Sequence, residues 1–109
     1  MTVNEMAEKL SLTPLTVPDG DREVEGCYIG DLLSWVMGRA QSGNVWITIM
    51  SNLNIVAVAS LADVSCIVLA EGVTLDEQVR ATAEQKGVNV LTTSKSAYEV
   101  AAALSQLQI

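Results

Sequence analysis

From Val45 onward, short apolar runs alternate three times with stretches of helical character, and this alternation constrains the fold more than any other feature of the chain. Val45–Met50, Cys66–Ala70 and Val88–Leu91 are rich in β-branched residues and are too short for buried helices, so they read as strands. Strands separated by helices of about ten residues pair in parallel through right-handed crossovers. Largely apolar strands belong in a sheet covered on both faces. The expected fold class is therefore α/β: a single domain with a mainly parallel sheet flanked by helices. A length of 109 residues, half of them hydrophobic and 17% charged, is enough for one core and too apolar for a disordered chain.

Local signals place the remaining elements. Thr2-Val3-Asn4-Glu5 and Ser96-Ala97-Tyr98-Glu99 have capping-box spacing, in which a hydroxyl and a carboxylate satisfy free helix-end N–H groups reciprocally. Thr74-Leu75-Asp76-Glu77 has the same spacing and opens a helix that Gly87 ends. Pro14 and Pro18 bracket an extended segment, Pro18–Arg22 forms a turn, and Val24–Ile29 is a strand ended by Gly30. Asp31 is placed as the N-cap of a helix reaching about Gln41, and Asn52 or Asn54 caps one over Ile55–Val64. Residues 1–19, a helix and an extended segment, are expected to pack on the domain.

Charge and composition exclude several functions. There is no His, which removes His-based triads, His metal sites and a phosphohistidine relay. A net charge of −7 without a basic run repels nucleic acid and anionic membranes, so neither is expected as a partner. Two cysteines, Cys27 and Cys66, form no metal-ligand spacing and read as reduced core thiols of a cytoplasmic protein. The first ten residues lack the apolar core of a signal peptide, and no run approaches the ~18 residues of a membrane span.

Two helices carry more than core. In the Asp31 helix, Leu32, Leu33, Val36, Met37 and Ala40 share one face at about 100° per residue, and Trp35 lies outside it. The next helix places Ile55, Val56, Val58, Leu61, Ala62 and Val64 all around its cylinder, and a helix apolar on every side should be buried on every side. Either a second copy covers it, most simply in a twofold homodimer, or the N-terminal segment does. Trp35, Ile55, Val58 and Leu61 are the candidate interface.

Ligands of open α/β sheets bind at the carboxyl ends of the strands. Here those ends offer Asn52, Asn54, Thr92, Thr93, Ser94 and Lys95, a rim of amides and hydroxyls with one cation. A nucleotide is the ligand class this rim suits, although neither a Rossmann nor a P-loop glycine pattern is present and each residue is also an ordinary cap or loop residue. Candidate catalytic groups are few. Asp31 could serve as an acid or base, Lys95 could pair a phosphate, and Cys66 lies in an apolar strand where its thiol is inert. Asp19, Asp21, Glu23 and Glu25 lack a calcium-loop pattern. No nucleophile–base pair can be assembled, so no catalytic residues, metal or cofactor are expected, and a binding or regulatory module is favoured over an enzyme.

Val24–Ser34, Trp46–Ile49, Asn54–Ser60, Val64–Leu69 and Lys86–Thr93, in this order and spacing, resemble small stand-alone DRTGG-domain proteins. The resemblance implies a fold similar to the N-terminal domains of HPr kinase/phosphorylase and of MurF-type ligases. It also implies an accessory, regulatory role; in some pyrophosphatases such domains accompany CBS modules and contribute to self-association. The stretch that names the family corresponds to Ala40-Gln41-Ser42-Gly43-Asn44, which keeps Gly43 alone. The expected function is a non-catalytic module that homodimerises and docks on a partner protein, with a nucleotide-sensing domain as the alternative.

Overall fold

In the computed structural model, which describes residues 1–109 throughout, four strands run parallel and step across the sheet one place at a time. They are β2 (Cys27–Ile29), β3 (Val45–Thr48), β4 (Cys66–Leu69) and β5 (Val90–Thr92). A fifth strand, β1 (Thr13–Thr16), adds antiparallel beside β5, giving the order β1-β5-β4-β3-β2. The helices are α1 (Val3–Lys9), α2 (Leu33–Arg39), α3 (Asn54–Ala62), α4 (Glu77–Lys86) and α5 (Ala97–Gln106).

Side chains alternate across a strand, so each apolar strand feeds two cores. Val45, Ile47, Cys66, Val68 and Leu91 face α1 and α5, where Val3, Met6, Val100 and Leu104 close over them. Trp46, Ile67, Leu69 and Val90 face α2, α3 and α4, meeting Val36, Ile55, Val56, Val58, Ala59, Val79 and Ala83. Trp46 is fully buried. Removing roughly 200 Å² of Trp surface from water is worth about 5 kcal/mol at most. The chain is thus an α/β domain with a mainly parallel sheet covered on both faces, as its strand pattern implied.

The capping boxes at Thr2/Glu5 and Ser96/Glu99 are both formed. At α4 the cap moves two residues from the expected position: Asp76, not Thr74, accepts the Val79 N–H at 2.9 Å. Helix α2 is shorter than expected and Asp31 does not cap it. The Asp31 carboxylate accepts instead from the Thr48 hydroxyl at 2.8 Å and the Ile49 N–H at 3.0 Å. A partner across the sheet outcompetes the helix end. Asn52 stabilises the approach to α3 by accepting the Asn54 N–H at 2.9 Å, and neither Asn occupies the N-cap position, which is Leu53.

Helix α3 corrects the expectation of an element that only another polypeptide or the N-terminal segment can shield. It is the middle of three helices on its face, so the sheet, α2 and α4 together bury Ile55, Val56, Val58 and Ala59. The N-terminal segment packs on the opposite face. Only Asn54 at its first turn and Ala57, Ser60 and Leu61 turn outward, with Leu61 73% exposed. Ile55 and Val58 therefore belong to the interior, and of the four expected interface residues Trp35 and Leu61 alone reach solvent. Cys27 is likewise no core thiol: it lies exposed on β2, whereas Cys66 is buried in β4.

Candidate functional site

The strand ends divide the six candidate ligand residues into two groups. Helix α4 leaves β4 toward one face and α5 leaves β5 toward the other, so the crevice where the connections diverge lies between β4 and β5. Thr92, Thr93, Ser94 and Lys95 border it. Its loops close on each other through Gly72 N–H to Thr93 O (2.8 Å) and Glu71 N–H to Lys95 O (2.9 Å). The Thr92 hydroxyl donates to the Val73 carbonyl, with the Leu69 carbonyl 3.3 Å away, and that of Thr93 accepts the Lys95 N–H. Ser94 and Lys95 remain exposed. Asn52 and Asn54 stand beyond β3, two strands away, which is roughly 10 Å. The three cavities of the molecule lie elsewhere: between β1 and α4, between α3 and α4, and beside the Arg22–Asp63 pair.

The candidate acid Asp31 and the two thiols are engaged or inert. Asp31 is tied to Thr48 and Ile49. Burial pushes the Cys66 thiol up to about 12, and the apolar flank around Cys27 pushes its thiol, at the strand margin, up to about 11. Both are protonated at neutral pH and weak nucleophiles. Of the acids near the first turn, Glu23 pairs with the N-terminal amine at 2.8 Å.

The unsatisfied chemistry lies at the β2 margin. β2 pairs only with β3, so its other side is an edge of the sheet. Gly26 accepts the Val45 N–H at 3.0 Å and Gly30 donates to Ile47 at 3.2 Å. Strand backbone groups alternate in direction, so Tyr28 also faces β3 while the N–H and C=O of Cys27 and Ile29 point outward. Beneath the edge, the Trp46 indole donates to Gly30 O at 2.9 Å and holds the end of β2 in place.

The surroundings of this edge are apolar and almost uncharged. Eight large hydrophobic residues are exposed, and five of them (Ile29, Leu32, Trp35, Met37 and Ile49) lie on β2, on α2 and its N-cap, and just past the end of β3. Ile29 and Ile49 lie on the sheet face toward α5, and Leu32, Trp35 and Met37 belong to α2 on the other face. The Arg39 guanidinium covers the Trp35 ring, 3.7 Å from its centroid. Of the 19 charged side chains in the chain, Asp31 and Arg39 are the only two between Gly26 and Ala62.

The family model of the DRTGG domain matches residues 22–107. The chain belongs to the DRTGG domain family. Among solved structures, this DRTGG domain is similar to the CBS and DRTGG domains of the regulatory region of Clostridium perfringens pyrophosphatase, crystallised with the activator diadenosine tetraphosphate. The TM-score is 0.74 at 14% identity, covering 96% of this chain and 46% of that one. The likeness is one of fold, and this chain spans about half the length of that structure. No curated protein matches the sequence.

In this DRTGG domain the stretch corresponding to the family's namesake, Ala40–Asn44, joins α2 to β3 at the end of the sheet opposite the strand C-termini. Gly43 adopts φ 84°, donates to Asp63 O at 2.9 Å and accepts the Glu25 N–H at 2.8 Å. A β-carbon there would meet Glu25 Cβ at 3.4 Å in a backbone conformation that favours glycine. Buried Asn44 donates to Glu25 O at 2.8 Å and accepts the Gln41 N–H at 2.9 Å. Ser42 and Arg22 both reach the Asp63 carboxylate and hold it below the usual carboxylate range. Here the segment works as a clamp at the foot of β2, a role its residue types did not announce.

Proposed function

We propose that this DRTGG domain is a non-catalytic regulatory module that forms homodimers through the β2–α2 margin and docks, as a dimer, on a partner protein. The observation that carries this reading is the gathering of exposed apolar side chains around a free strand edge in a stretch nearly devoid of charge. At a net charge of −7, two copies approach with least repulsion where charge is absent. The engaged Asp31 and the two protonated thiols favour a binding role over a catalytic one. Two unpaired thiols also suit a reducing cytoplasmic setting. Trp35, with its large apolar area, is the natural anchor for the second copy. Sedimentation velocity at micromolar concentration should give a dimer whose self-association weakens in Trp35→Ala. A wild-type monomer under those conditions overturns the reading.

The nucleotide-sensing alternative draws on the position of Thr92, Thr93, Ser94 and Lys95 at the crevice and on the nucleotide bound to the similar pyrophosphatase region. Asn52 and Asn54 would then contact the ligand's far end. A ligand at ~100 times its dissociation constant adds about 2.7 kcal/mol of stability. Thermal unfolding with millimolar adenine nucleotides and dinucleoside polyphosphates tests it, and an unchanged midpoint with all of them dismisses it.

A further inference from the structure

We infer that the second copy joins by antiparallel pairing of β2 with β2 about Tyr28, in the register that sets Cys27 of each copy opposite Ile29 of the other. This rests on the self-association proposed above and specifies its seam.

The backbone selects the register. Only Cys27 and Ile29 have outward-facing donors and acceptors, and outward-facing residues can pair only with one another. Cys27 opposite Cys27, or Ile29 opposite Ile29, centres one such pair on the twofold axis and leaves the other residue without its complement. Cys27 opposite Ile29 joins both residues of both copies, forming four N–H···O bonds. It is the one register of the three that satisfies every outward group of the strand. The result is a continuous sheet of ten strands, from the five of each copy.

Nothing on this edge prevents it. β2 contains no proline, its pairing with β3 runs without a bulge, and no charged side chain lies on it. Cys27 and Ile29 are both exposed and point to the same sheet face. In the paired state they would form a closed row with their counterparts, and the twofold would bring the two α2 helices together on the opposite face. The one unfavourable feature is at the ends of the seam, where Glu25 of each copy falls opposite Asp31 of the other. Added salt should therefore strengthen the dimer by screening that repulsion.

Disulfide trapping with diamide reads the register directly. A directly opposed pair has α-carbons ~5.5 Å apart, within the span a disulfide bridges. Ile29→Cys places the new thiol opposite Cys27 of the other copy and should yield a covalent dimer. Wild type would be trapped only in the Cys27–Cys27 register, and Cys27→Ser/Ile29→Cys only in the Ile29–Ile29 register. Both should stay mainly monomeric on a non-reducing gel. Ile29 is half exposed, so its replacement leaves the core intact. A sedimenting dimer that traps in neither Ile29→Cys nor any variant, or that traps in one of the other registers, overturns the seam and leaves self-association standing. A monomer at every concentration overturns both.

Discussion

The two edges of the sheet are built in opposite ways. At one end, β1 is guarded. Pro14 has no N–H to offer, the register shifts between Pro14 and Thr16, and Arg80 donates to the Leu15 carbonyl at 3.1 Å. Glu84 accepts the Thr16 hydroxyl, so α4 leans on the strand along its length. Proline, a bulge and a covering charge are common means of keeping a strand edge from pairing. At the other end, β2 has none of them: Ile29 lies on the strand, Leu32 and Trp35 lie beside it, and its nearest charges in sequence, Glu25 and Asp31, stand beyond its two ends. The contrast teaches that edge exposure is not a general property of this small sheet. One edge is closed to other chains, and the other is left able to receive one.

The largest expected effect removes the support beneath the open edge. Trp46→Ala should cost about 3–5 kcal/mol of folding stability, measured by chemical denaturation. Trp46→Phe, which leaves the Gly30 carbonyl without its indole donor, should cost a smaller ~1–3 kcal/mol. Next in size, Ile29→Pro deletes one outward N–H per copy and should weaken self-association roughly a hundredfold while sparing the monomer; a dimer unaffected by this change would place the interface elsewhere. Opening the guarded edge with Pro14→Thr and Arg80→Ala gives each chain two free edges. Light scattering should then show growth past the dimer, since two open edges do not close a twofold assembly.

The smallest effect concerns the clamp at the foot of β2. Asp63 is held below its usual range by Ser42 and Arg22, so its contribution is present above the ordinary carboxylate value and is lost as pH falls through the depressed one. Asp63→Asn keeps a side chain tolerated at φ 60° and should slightly flatten the acid limb of the stability–pH curve, because the pair is largely exposed.

What could be read from the sequence depended on how local the determining interactions are. The strands and two of the three capping boxes were legible because alternation and an i to i+3 bond need no knowledge of the rest of the chain. Trp35 outside the α2 core face was legible for the same reason, and it is 51% exposed. Asp31 was not, because its partners Thr48 and Ile49 lie on another strand and compete with the helix end its residue type favours. The uniformly apolar α3 was misread because a helical wheel cannot show the flanking α2 and α4. The free edge itself was hidden, since only the strand order reveals that β2 has one neighbour.

Amide hydrogen exchange across a dilution series tests the account most directly. At concentrations where the dimer prevails, the N–H groups of Cys27 and Ile29 should be protected and should lose that protection on dilution, while Tyr28, bonded inward to β3, stays protected throughout. Exchange of Cys27 and Ile29 at unprotected rates at every concentration would contradict pairing at this edge.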